Sequence, residues 1–217
     1  MLDLGLFKSR VFSFASLSAL INFMSLYALI FLTPFYLAYV LGFSILKVGL
    51  VMAAAPVATL LVAPLSGALS DRVGTRPFAV CGMFLCAVGL FMMSGLETTS
   101  NVSDIVWRLV ICGVGGGMFQ SPNNSAIMGS VPAMRLGVAS GMISTMRTVG
   151  MVLGIAVVGA VLYNLAPVAA SGNPGQLAGP DIEEFMGGLR WAYISGAVIA
   201  AIAAVTSFLA VERHSDS

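Results

Sequence analysis

Charge is scarce in this sequence. Only 9% of its 217 residues are Asp, Glu, Lys or Arg, against roughly 25% in an ordinary soluble domain. A soluble fold needs a charged surface, and this chain lacks the residues to build one. Histidine is nearly absent: the one copy is His214, near the C-terminal end. No His-Glu-x-x-His motif, no Ser-His dyad and no pair of acids within an apolar run is present, which argues against an intramembrane protease or another membrane enzyme. Cysteine is sparse. Cys81, Cys86 and Cys112 sit inside apolar stretches, have no metal-ligand spacing and read as small apolar filler. No metal site and no cofactor is implied. The net charge is +1, without a basic tract or an acidic tail, so nothing here points to nucleic acid. A cleavable signal is not expected either. Asp3 lies in the first residues, and the first apolar run is far longer than the roughly 7–15 residues of a signal core.

What fills the sequence instead is apolar. Hydrophobic residues make up 59%, and the charges are bunched, leaving long uncharged runs. Val11 to Leu46 carries no charge, nor do Val48 to Ser70, Pro77 to Leu96, Leu109 to Met134, Thr148 to Pro180 or Trp191 to Val211. Crossing the bilayer core takes about 20 residues of helix, and each run is long enough. The expected spans are about 12–38, 48–69, 77–96, 105–129, 138–164 and 189–211, with a segment 1–11 before them and a tail 212–217 after them. Gly, Pro, Ser and Thr punctuate the breaks. The longest connector, Ala166 to Gly188, reads as an exposed loop ending in a short helix. The fold class is an all-α membrane protein, a six-helix transmembrane bundle.

Basic residues give the orientation, because short cytoplasmic loops collect Lys and Arg. Six spans put both ends on one side. That side holds Lys8, Arg10, Arg72, Arg76, Arg135 and Arg213; the other holds Lys47, Arg108 and Arg190. Both termini are therefore expected in the cytoplasm, in a bacterial inner (plasma) membrane.

Polar residues within spans are costly against lipid and tend to face protein or water. At about 100° per residue, Ser18, Asn22, Ser25, Thr33 and Tyr36 share one face of the first span. Gly113, Gly116, Gly117, Gln120, Asn123 and Asn124 share a face of the fourth. Ser140, Ser144, Arg147, Met151 and Gly154 share a face of the fifth. The third and sixth spans have no such stripe. A three-plus-three arrangement gives this ordering if the first member of each triplet lines a cavity and the third faces lipid. The plainer alternative is that Ser, Thr and Asn merely join helices by hydrogen bonds. Gly137-x-x-x-Gly141 and Gly150-x-x-x-Gly154 suit close helix contact. Arg147 is the one deep charge, and an intramembrane charge is a functional candidate by default. Its alternative role is a stem that reaches back to the cytoplasmic surface.

The sharpest motif is Gly67-Ala-Leu-Ser-Asp71-Arg72-Val-Gly74-Thr-Arg76, between the second and third spans. It resembles the cytoplasmic loop signature of the major facilitator superfamily. A second stretch runs from Gly113-Val-Gly115-Gly116-Gly117-Met-Phe-Gln120-Ser-Pro122-Asn123-Asn124 through Pro132 and Arg135-Leu-Gly137 to Arg147-x-x-Gly150. It is similar to the second half of the fourteen-span drug:proton antiporters of that superfamily, as is the opening Leu2-Asp3-Leu4. The resemblance implies the C-terminal half of a secondary transporter, exporting drugs or other small lipophilic molecules by alternating access. It implies a small-molecule substrate, a lipid bilayer, and a completing partner: an N-terminal six-helix half or a second copy. Asn22, Tyr36, Gln120, Asn124 and Arg147 are the expected cavity wall; Gly67, Asp71, Arg72, Gly74 and Arg76 are the expected gating loop. No acid lies deep in any span, so this chain alone is not expected to carry a proton. The alternative is a non-transporting truncated fragment, or a half that needs its partner.

Overall fold

The computed structural model describes residues 9–167 and 180–209. Among them there are helices and turns but no strand. Six helical segments are long and apolar enough to cross a membrane: Arg10–Val40, Ile45–Val73, Thr75–Met93, Val102–Gly129, Ala133–Leu165 and Pro180–Leu209.

Local chemistry explains where each segment starts, bends and stops. Helix α1 (Arg10–Phe35) is capped by Ser9, whose hydroxyl accepts from the Phe12 amide. Pro34 lies inside it and has no N–H to give the preceding turn. Just beyond, Tyr36–Val40 widens into a π turn, with the Leu41 amide reaching the Tyr36 carbonyl at 3.3 Å. The second span is broken in two, α2 (Ile45–Met52) and α3 (Ala54–Val73). The break falls at Ala53, three residues before Pro56, whose ring cannot follow a regular turn.

Helix α3 runs on through Asp71 and Arg72 to Val73, beyond the expected end at residue 69. A single residue, Gly74, separates it from α4 (Thr75–Met93). Gly74 has φ +98°, a conformation that side-chain-bearing residues rarely adopt. Helix α5 (Val102–Gly129) opens with a capping box: the Asn101 side chain accepts from the Asp104 amide, and the Asp104 carboxylate accepts from the Asn101 amide. A 3₁₀ turn at Ala133–Arg135 leads into α6 (Leu136–Leu165). Helix α7 (Pro180–Leu209) begins nine residues earlier than expected. Pro180 opens it, and Asp181 and Glu183 occupy its first turn, where the helix dipole favours acids. The acid-rich end of the long connector is thus continuous with the sixth span; its middle, 168–179, lies outside the described residues.

The packing maps onto itself when the first three spans are exchanged with the last three. Helix α1 packs on α6 and α7; its counterpart α5 packs on α3 and α4; and α4 packs on α7. The exchange is imperfect in one place, since α6 packs on α7 more extensively than α3 packs on α4. The second span, α5, α1 and α6 therefore follow one another along one face, with α4 and α7 behind. Glycines allow the close approaches. A Cβ placed on Gly82 would sit 2.6 Å from the Gly115 carbonyl oxygen, and one on Gly150 would sit 2.6 Å from that of Leu20.

Candidate functional site

A cavity of about 980 Å³ lies on this face, between α1, the second span and α5, with α4 as its floor. Helix α1 lends it Asn22, Ser25, Leu26, Leu29 and Ile30. The second span lends Gly49, Met52, Ala53, Pro56, Thr59, Leu60 and Pro64, with Ala55 and Ala63 between them. Helix α5 lends Leu109, Cys112, Gly113, Gly116 and Gln120, and Cys86 and Leu90 of α4 close the back. The lining is mostly apolar, with a few polar groups, as small-molecule sites tend to be.

Those polar groups are not equally available. The Asn22 amide donates to the Met83 sulfur at 3.1 Å, and the Ser25 hydroxyl donates to the Asn22 carbonyl at 2.8 Å. Thr59 donates across to the Gly113 carbonyl at 2.8 Å, helping to hold α3 on α5. Gln120 is half-buried on the wall and has no hydrogen-bond partner among the described residues. It is the lining amide left open to a ligand.

Of the five residues expected to form the wall, Asn22 and Gln120 meet at the cavity. Tyr36 is not in the lining. It is buried just past the C-terminal end of α1, and its hydroxyl donates to the Glu97 carbonyl at 2.6 Å. Its amide still reaches the Leu32 carbonyl, so the helical pitch holds as far as Tyr36, but it lies along the axis beyond Ile30, the last residue of α1 in the lining. Asn124 is half-buried and also outside the lining. Its neighbour Asn123 is buried and donates to the Ala15 carbonyl at 3.2 Å, tying α5 to α1. Arg147 is exposed on α6, on a different side of α1 from the cavity, with its guanidinium carbon 5.2 Å from the centre of the Phe23 ring. Ser18 and Thr33 join helices: Ser18 bonds Thr206, and Thr33 accepts from Tyr193.

The five residues of the expected gating loop occupy the join of α3 and α4. Asp71 and Arg72 are exposed in the last turn of α3 rather than in a loop. Gly67 faces α5, where a Cβ would lie 2.6 Å from the Ser121 hydroxyl oxygen. Arg76 stands over the Phe208 ring of α7 at 4.2 Å. The motif thus fastens the join of the second and third spans to the fourth and sixth.

Sequence reasoning missed the second span's share of the wall. The trace was present in the spacing of Ala53, Pro56, Leu60 and Pro64, three or four residues apart on one helical face. Arg108 lies in the second turn of α5. Its Nε and Nη1 atoms are buried without a partner, and its guanidinium carbon lies 5.4 Å from the Trp107 ring centre. Asp104, one turn away, is engaged in the capping box.

Comparison with known proteins fits this geometry. Residues 15–217 match the family profile of the Major Facilitator Superfamily. The uncharacterized transporter YebQ of Escherichia coli is 37% identical over 75% of this chain and 35% of its own. The riboflavin transporter RibZ of Clostridioides difficile is 34% identical, over 71% of this chain and 34% of its own. The multidrug resistance protein Stp of Mycobacterium tuberculosis is 33% identical, over 75% of this chain and 30% of its own. The chain thus spans about a third of the length of the curated relatives it matches. A solved structure from a study of substrate recognition in proton dependent oligopeptide transporters superposes with a TM-score of 0.77 at 18% identity, over 95% of this chain and 43% of that one. The chain is an integral membrane protein and belongs to the Major Facilitator Superfamily, among relatives of the multidrug-transporter type.

Proposed function

We propose that this bundle is the C-terminal half of a secondary transporter that exports drugs or other small lipophilic molecules, driven by a proton gradient and working by alternating access. The observation that carries the reading is the cavity of about 980 Å³, apolar in most of its lining and set on the face shared by the second span, α5, α1 and α6. A lipophilic molecule would lie against Leu26, Leu29, Leu60 and Leu109, with Gln120 as its first polar contact. A second six-helix half would close the open side. The join at Gly74, with Asp71, Arg72 and Arg76 around it, would lie on the cytoplasmic side, with both termini, in a bacterial inner membrane. The proton-carrying acid would come from the other half, since no described acid lies deep in this one. The test is efflux of a fluorescent lipophilic dye from vesicles holding this bundle with and without its completing half. Gradient-driven efflux by the pair supports the reading; a pair that moves no dye across a range of drugs defeats it.

The likeness to RibZ favours a second reading, transport of a polar heterocycle. Riboflavin uptake or efflux in the same vesicles, lost on Gln120→Leu, would replace the lipophilic substrate with that class.

A further inference from the structure

At the end of the bundle that carries the Gly74 join, four helices form a ring. Helix α1 packs on α5, α5 on α4, α4 on α7, and α7 on α1, so α5 and α7 stand at opposite corners. A ring of four rods leaves a gap in its middle, which close packing requires side chains to fill. The side chains nearest that gap are small: Ala15 of α1, Ala79 of α4, Ala126 of α5 and Ser207 of α7. A space of about 20 Å³ is left among them.

Two polar groups at this space lack a partner. Ser207 is 3% exposed, and its hydroxyl makes no hydrogen bond. Asn123, also in the lining, is 4% exposed. Its amide nitrogen donates to the Ala15 carbonyl at 3.2 Å, but its side-chain oxygen has no partner among the described residues. Thr75 and Arg76 border the same space and have partners of their own. The hydroxyl next to Ser207 is differently placed: Thr206 bonds both Ser18 and the Ala203 carbonyl.

We infer that this space is a binding site for one water molecule, held between the Ser207 hydroxyl and the Asn123 side-chain oxygen. Size and polarity select the occupant. An interior water needs roughly 10–15 Å³ of such space and two to four polar neighbours. A drug or a detergent chain is far too large. Two neutral oxygens are too few for a metal cation, and Arg76 at the border repels one. Left empty, the space would keep two hydrogen-bonding groups from water without replacing what they lost. Filled, it joins α7 to α5 across the middle of the ring and, through Asn123, to Ala15 of α1. The inference does not depend on what the bundle transports.

Thermal unfolding of the purified full chain, beside Ser207→Ala, reads the state of that hydroxyl. A hydroxyl that holds a water stabilises the bundle, so its removal should lower the midpoint by about 2–4 °C. A hydroxyl that is merely stranded destabilises it, and its removal would raise the midpoint. An unchanged or raised midpoint overturns the inference. A diffraction map of the unsubstituted protein, at a resolution where other interior waters are seen, gives the direct reading. One isolated peak should lie within hydrogen-bond distance of Ser207 Oγ and Asn123 Oδ1. An empty space, a side chain filling it, or an anomalous signal there after bromide soaking would each overturn the site. The map needs no variant, so it still decides the matter if Ser207→Ala does not fold.

Discussion

Two amides line the cavity, and they are in different states. Asn22 already donates to Met83, while Gln120 has no hydrogen-bond partner among the described residues. Replacing Gln120 with Leu should therefore leave the folded bundle as stable as before and raise the KM for a hydrogen-bonding substrate several-fold. Unfolding temperature and transport kinetics on the same preparation check both halves of that statement. Arg108 makes the opposite case. Two of its nitrogens are buried without an acceptor, and such a group costs about 1–3 kcal/mol. Arg108→Met keeps the stem and removes the charge, and should raise the midpoint of thermal unfolding in detergent. A lower midpoint would mean that the guanidinium has an acceptor there.

At the scale of the helix, glycine sets how closely the spans approach. A Cβ on Gly113 would strike the backbone of Ala55, and one on Gly154 the backbone of Met24. Neither obstacle is a side chain that could swing away. Gly113→Leu and Gly154→Leu should each destabilise the bundle by about 1–3 kcal/mol through overpacking. Gly137→Leu, with nothing within reach of its Cβ, should be near neutral in the isolated bundle. Denaturant or thermal melts of the three variants side by side give the comparison.

The same helices show what the sequence could and could not reveal. The six spans were legible because an apolar run longer than a bilayer crossing has few other homes. The ends of α3 and α7 were not. Arg72 in the last turn of α3, and Asp181 and Glu183 in the first turn of α7, are charged but sit where the helix dipole favours their sign, and Asp71 is exposed beside Arg72. Helical phase found Asn22 and Gln120, because α1 and α5 are regular at those points. Phase says nothing of depth, and Tyr36 lies along the helix beyond Ile30, the last residue of α1 in the lining. It also could not separate Asn123 from Asn124, adjacent residues of which one is tied to Ala15. The wall formed by the second span was hardest to see, since its residues are Gly, Met, Ala, Pro, Leu and a single Thr, none of which stands out from lipid-facing sequence.

Over the whole molecule, the two halves of the bundle repeat one packing scheme, and the cavity lies at the front of it. The proposed orientation, with the basic residues in the cytoplasm, can be tested directly. A cysteine at Ser100, between the third and fourth spans, should react with a membrane-impermeant maleimide from outside intact cells. A cysteine at Asp71 should react only after the membrane is opened. The reverse pattern would invert the topology. The completeness of the site is a separate matter, because α3 and α6, at the two ends of the open face, are the least buried of the spans. The bundle by itself should therefore bind a lipophilic dye, seen as a rise in fluorescence, but should not move it against a gradient.

Gly74 has a mechanical meaning at that scale. A front-wall helix and a back-wall helix meet there with no slack between them, since one residue makes the whole connection. Two rods joined at so short an elbow cannot slide past each other lengthwise. A push along the axis of α3 would be passed around that corner into α4 and, through the packing of α4 on α7, to the rear of the bundle.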